Sequence, residues 1–242
     1  MHILIASPTY GGVGAEFMRA VLDLQMWLVK QGIGVTTAHH GMAEVARSRN
    51  LLATGFYEQP ELTHLLFVDS DIHFEPEAVA ALIAADRPLV GCVYPRRTID
   101  YDRLIAAARR LTDRRAIIAS AMDYVVVPDG ETLELENGLC RVAGIGMGLC
   151  LIRRDVFEGL MATGGIKQDF AGAAGRALKG PVLGFFDPIP SETGFIAEDL
   201  SFCRRWRDAG GDVWACIDQD IAHVGLMTFR ARMIDALTAG QG

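Results

Sequence analysis

Two carboxylates, Asp69 and Asp71, flank Ser70 at the end of an apolar run over residues 63–68. Acids this close repel unless a cation relieves them, and hard oxygen donors suit Mg²⁺ or Mn²⁺. A cation there would neutralise the charge that grows on a departing diphosphate. The plain alternative is equally open: the aspartates cap the helix that follows, since Asp-x-Asp alone is a short motif. Farther along, Glu198-Asp199 opens a helix and His223 follows a strand. The positive end of a helix favours an anion, which suits a general base accepting a hydroxyl proton. A histidine after a strand can give Mn²⁺ a neutral nitrogen. Each has its bland counterpart, a helix-start acid or a strand-end histidine. Their joint occurrence in this order favours the chemistry.

The elements that must position these groups alternate through the first half. A strand over 3–7 leads into a loop at Pro8-Thr9-Tyr10, and a helix over 15–30 carries a stripe of Phe17, Val21, Leu24 and Leu28. A β-branched run over 35–38 and a helix over 42–56 follow; then come the strand at 63–68, a helix from Pro76 to about Ala85, and a strand over 88–93. Such alternation predicts an α/β fold, a mostly parallel sheet covered by helices. The second half is less regular: strands at the sheet edge over 117–127 and 139–142, an apolar run over 147–152, a helix over 155–161. A helix over 198–209 and a last strand over 213–217 complete it. Residues 164–194, rich in glycine and proline, read as a long loop that orders over a bound ligand.

Composition sets bounds. Of 242 residues, half are hydrophobic and 22% are charged, which suits one folded domain with a sizeable core. The formal net charge of −7 argues against a general affinity for nucleic acid backbone. One window departs from this, because residues 96–115 hold seven arginines against three aspartates. It reads either as a solvated basic helix or as a contact surface for an anionic acceptor. The five cysteines lack the spacing of a metal or redox motif, so buried thiols in a reducing compartment are expected. With neither a secretion signal nor an apolar run of membrane-spanning length, the chain is expected to be cytoplasmic.

Four stretches carry a resemblance: THLLFVDSD over 63–71, FEPEAV over 74–79, GIGMGLCLIR over 144–153 and EDLSF over 198–202. They resemble glycosyltransferases of the GT-A type, closest to small bacterial and phage transferases related to family 2 and to Anp1-type mannosyltransferases. The likeness runs from Ile3 to about Gly225. It implies a Rossmann-like GT-A domain over 1–228 with a C-terminal tail over 229–242. It further implies Mn²⁺ or Mg²⁺ held by Asp69, Asp71 and His223, and a nucleoside diphosphate sugar, expected to be a UDP-sugar, as donor. Asp199, beside Glu198, would be the base of an inverting transfer to a hydroxyl acceptor, whether a glycan, a lipid-linked carrier or modified phage DNA. Donor contacts are expected from Pro8, Thr9, Tyr10, Arg47, Asn50, Asp69 and Ser70, with Arg47-Ser48-Arg49-Asn50 resembling the Arg-x-Arg-Asn segment that faces the nucleotide. Gly146, Met147 and Gly148 belong with them if their backbone approaches the sugar, tight strand packing being the open alternative. Arg230 and Arg232 either close over the diphosphate or are solvated. Rival readings are a nucleotidyltransferase, for which Gly11-Gly12-Val13-Gly14 lacks the basic phosphate-binding residue, and a non-catalytic nucleotide-sugar or nucleic-acid binding module.

Overall fold

Alternate residues of the central strands face opposite ways and nearly all are apolar, which requires cover on both faces of the sheet. The computed structural model, which describes residues 1–131, 134–172, 175 and 177–227, shows that arrangement. Strand β1 (His2–Thr9) sends Ile3 and Ile5 to one core layer and Leu4 and Ala6 to the other. After helix α1 (Ala15–Lys30) and β2 (Gly34–Gly41) comes α2 (Val45–Tyr57). Strand β3 (His64–Val68) splits in the same way, with Leu65 and Phe67 opposite Leu66 and Val68. The chain continues through β4 (Ile72–His73), α3 (Pro76–Ala85), β5 (Leu89–Cys92), α4 (Tyr101–Ala108) and α5 (Arg114–Ser120). Next are β6 (Val126–Pro128), β7 (Leu135–Glu136), β8 (Leu139–Ile145), β9 (Leu149–Arg153) and α6 (Arg154–Ala162). Four short strands follow, β10 (Gln168–Asp169), β11 (Val182–Leu183), β12 (Ile189–Ser191) and β13 (Gly194–Ile196). Helix α7 (Glu198–Asp208), β14 (Val213–Cys216) and β15 (Ala222–His223) complete the described elements.

The main sheet has nine strands in the order β2-β1-β3-β9-β5-β14-β8-β6, with β7 also on β8. Only β8 and β9 run against the other seven, so the sheet is mixed with one dominant direction. Side chains of α1 and α3 fill one layer, and those of α2, α6 and α7 fill the other. Among the described residues, no helix is long and apolar enough to cross a membrane. All five cysteines are free and buried. The tail over 229–242, with Arg230 and Arg232, lies outside the described residues.

Three local expectations need correction. Residues 117–120 are helical, because Asp113 accepts from the backbone N–H groups of Arg115 and Ala116 and caps α5; two β-branched isoleucines had suggested a strand. Strand β8 is not an edge, being flanked by β14 on one side and by β6 and β7 on the other. Residues 164–194 are not one loop. Val182, Leu183, Phe185 and Phe186 are buried, with Phe186 stacked on Phe202 at 4.4 Å and Phe185 edge-on to Phe157 at 5.1 Å. Helix α2 pins that stretch with polar side chains one turn apart. Asn50 Oδ1 accepts from Phe186 N–H at 2.7 Å, Thr54 Oγ1 from Leu183 N–H at 2.9 Å, and the Glu58 carboxylate from Lys179 and Gly180 N–H. Apolar periodicity cannot reveal such a seam, since its order comes from hydrogen bonds.

Candidate active site

The extended run of β3 ends at Asp69, whose N–H donates to Gly148 O and whose carbonyl accepts from Ile72 N–H, closing a tight turn through Ser70 and Asp71. The turn feeds β4, which pairs antiparallel with β15 so that His223 lies opposite Ile72. That two-residue ladder brings His223 to Asp71 across 152 positions of sequence, Nε2 to Oδ2 at 3.2 Å. The other ring nitrogen, Nδ1, donates to Pro95 O at 3.0 Å. With Nδ1 carrying the proton, Nε2 of a neutral ring presents a lone pair to a carboxylate oxygen, which is also an acceptor. Two acceptors face to face require a proton or a metal cation between them. Arg97 Nη1, 3.0 Å from the same oxygen, supplies part of the missing charge. Burial raises the Asp71 carboxyl, but the hydrogen bond and charge of His223, with the charge of Arg97, outweigh it and hold the group below its usual range. The hydrogen bond to Asp71 lifts His223 in turn, against its partial burial.

Asp69 is placed differently. Arg49, 3% exposed, puts Nη2 2.9 Å from the Asp69 carboxylate and Nε 3.3 Å from Glu198 Oε1, and lies over the Phe67 ring at 5.1 Å. Burial works against the guanidinium's charge, yet Asp69 and Glu198 more than compensate and keep it protonated. One atom in this knot, Arg49 Nη1, is buried without a hydrogen-bond partner among the described residues, while Asp69 Oδ1 stays 2.9 Å from Arg49 Nη2. In a folded protein such an orphan calls for an explanation, and a bound group supplies one. Asp69 is thus joined to an arginine, and among the described residues no three His, Cys, Asp or Glu side chains gather as one metal-ligating set.

Glu198 and Asp199 begin α7 as expected, but the dipole does not decide the titration of Asp199. Burial comes first, and the neighbouring charge of Glu198 second. Together they push the Asp199 carboxyl up to about 6, although Leu200 N–H donates to its Oδ1 at 2.7 Å. A carboxylate with a pKa about one unit below neutrality is ionised at pH 7 and basic enough to accept a proton.

Of the expected donor contacts, the structure disperses several. Asn50 is buried and saturated, its Nδ2 donating to Asp187 Oδ1 at 2.7 Å while its oxygen accepts from Phe186. Arg47 donates to Asp169 and to Phe170 O, holding the segment before α7. Pro8 is buried inside β1, which extends through Thr9; Thr9 O accepts from Met42 N–H, and Tyr10 is 79% exposed. Met147 is fully buried in the core, so its side chain does not face a ligand. Gly146 and Gly148 give their space to Tyr94: a Cβ on either would come within 3 Å of its ring or hydroxyl. Ser70 is half-buried between the two aspartates.

Sequence reasoning placed Arg49 only within the Arg47–Asn50 segment expected to face the nucleotide, not beside Asp69 and Glu198, and did not name Tyr94 as a site residue. Tyr94 is 6% exposed, accepts from Gly148 N–H at 3.2 Å, and meets the His223 ring edge-on at 5.4 Å. Burial and the charge of Asp69 raise its hydroxyl's pKa well beyond the usual range, so it stays protonated. The glycines at 146 and 148 were its trace in the sequence. Arg49 had a signal too, because Ala46, Arg49, Ala53 and Phe56 form one buried helical stripe containing a charge.

No family model and no curated protein matches the sequence. Among solved structures, A197 from STIV is 18% identical, with TM-score 0.49, 96% of this chain and 98% of that one covered. A Drosophila β-1,4-galactosyltransferase 7 variant, in complex with manganese, UDP-Gal and xylobiose, is 11% identical, with TM-score 0.46, 98% of this chain and 79% of that one covered. The inositol-1-phosphate CTP transferase from T. maritima is 10% identical, with TM-score 0.43 and coverage of 93% and 89%. The likeness is one of overall chain course, and the functional reading rests on the side chains described above.

Proposed function

We propose that the chain transfers a sugar from a nucleoside diphosphate sugar, a UDP-sugar in the first instance, to a hydroxyl acceptor. The observation that carries this reading is the meeting of Asp71 with His223, whose ring is held through Nδ1 by Pro95 O so that Nε2 faces the carboxylate. The donor set fits Mn²⁺ or Mg²⁺. Two ligands at about 2.1 Å and a right angle lie about 3.0 Å apart, against 3.2 Å for this pair. Asp71 and His223 would hold the ion, with Asp69 supporting the metal or the ribose. When bound, it supplies positive charge against the departing diphosphate.

The protein's own residues do the rest. Asp199 takes the acceptor hydroxyl's proton as the acceptor oxygen bonds to the anomeric carbon and the bond to the diphosphate breaks. Attack from the face opposite the leaving group gives inversion. Glu198 keeps Asp199 basic by charge and is itself tethered by Arg49. Nη1 of Arg49, without a hydrogen-bond partner among the described residues, would donate to the bound nucleotide. Thermal stability measured across nucleotide sugars, with and without Mn²⁺, tests the reading. A donor-specific rise that needs the metal supports it, and no response to any nucleotide refutes it. Release of nucleoside diphosphate, not pyrophosphate, separates it from nucleotidyl transfer; retained anomeric configuration would remove Asp199 from the base role.

A further inference from the structure

The pair of helices α4 and α5 is built unlike the rest of the surface. Of their residues only Ala107 is buried, with Ala121 just beyond α5, so the hairpin barely shares in the core. Helix α4 carries Tyr101, Leu104, Ile105 and Ala108 at positions one turn apart, and Tyr101 and Ile105 are 57% and 52% exposed. Leu111 and Ile118 add further exposed apolar surface. Around them, Arg96, Arg109, Arg110, Arg114 and Arg115 have no carboxylate partner among the described residues, whereas Arg19, Arg141, Arg153, Arg204 and Arg207 elsewhere each face an acid. Exposed apolar side chains ringed by uncompensated arginines, in a chain of net charge −7, suit neither a solvated helix nor a protein core. They match an amphipathic element lying in the headgroup layer of an anionic bilayer, with its apolar side chains reaching the acyl boundary.

We propose that the α4–α5 hairpin docks the protein on an anionic phospholipid surface. A cleft of about 1070 Å³ runs from Tyr101, Arg115 and Ile118 to His223, and Arg97, on the stretch leading into the hairpin, contacts Asp71. The docking face therefore opens onto the candidate reaction centre. If sugar transfer is the activity, which is the reading this consequence rests on, the acceptor hydroxyl belongs to a lipid-anchored molecule presented by that surface.

Vesicle flotation of the full chain, without donor or metal, tests docking independently of transfer. The expected result is flotation with phosphatidylcholine vesicles containing phosphatidylglycerol, little with phosphatidylcholine alone, and release by salt. Arg109→Glu and Arg114→Glu should each weaken binding about fivefold or more. Ile105→Ser combined with Leu111→Ser should weaken it comparably, while Lys30→Glu on α1 should not. These side chains are exposed, and unchanged circular dichroism confirms that the variants fold. Equal flotation with both vesicle types, or arginine variants that bind like the wild type, overturns the proposal. So does selective displacement by inorganic phosphate at constant ionic strength, which marks a free-anion site, or dimerisation abolished by Ile105→Ser, which gives the face to a second copy.

Discussion

Arg49 and Asn50 are neighbours on α2, each 3% exposed, yet they serve opposite ends. Asn50 points toward residues 186–187 with both its oxygen and its amide bonded, and Thr54 and Glu58 extend the same satisfied seam. Arg49 points toward Asp69 and Glu198, where one of its own nitrogens lacks a hydrogen-bond partner among the described residues. Burial alone does not separate scaffold from site; at these two neighbours, completeness of pairing does. One helix supplies a finished seam and an unfinished one, a single residue apart.

The largest expected effect lies on the unfinished side. Asp199→Asn should lower turnover roughly 10²–10⁴-fold, with donor binding kept, as steady-state kinetics and donor titration will show. The same change should stabilise the fold at pH 8. A carboxyl raised from 3.8 to about 6 binds more protons folded than unfolded, so stability falls as pH rises through that window. Removing the charge recovers on the order of 1–3 kcal/mol at pH 8 and almost nothing below pH 4, readable in denaturant melts at the two pH values. In the wild type, kcat/KM should climb with pH through about 6 and level above about pH 7.

Arg49→Met should cost about 3–5 kcal/mol, because it leaves Asp69 and Glu198 as partly buried carboxylates without their cation. A midpoint unchanged in chemical denaturation would show that the knot is not held by this arginine. On the finished side, Asn50→Ala should cost roughly 1–3 kcal/mol by orphaning the Phe186 N–H, and should leave donor affinity in the folded protein unaltered. A large loss of donor affinity there would return Asn50 to the ligand and break the comparison. Smallest is Glu58→Gln, about 1 kcal/mol, since its carboxylate accepts from two backbone N–H groups near the surface.

Much of the architecture was legible. Strands buried on both faces announce themselves by apolar composition, and α1 by its stripe, so the order of elements through β5, the two-residue β4 excepted, follows from the residues. Asp69, Asp71, Glu198, Asp199 and His223 were legible as candidates because their types and their places at element ends limit what they can do. Their pairing was not. That His223 meets Asp71 depends on the short β4–β15 ladder, and that Asp69 meets Arg49 depends on how α2 packs on β1, the neighbour of β3 in the sheet. Arg47, Arg49 and Asn50 were assigned together to a segment facing the nucleotide, because adjacency in sequence does not give the direction in which a helix turns each side chain; of the three, Arg49 is the one that reaches Asp69 and Glu198. Residues 164–194 misled by composition: glycine and proline mark irregular backbone, but irregular backbone can still be pinned.

The most direct test of the central claim is Mn²⁺ binding in the presence of UDP, measured by titration calorimetry on the wild type, Asp71→Asn and His223→Ala. One site per chain in the wild type, weakened at least about tenfold in each variant, is the predicted result. Equal affinity in all three proteins would show that Asp71 and His223 do not hold the cation.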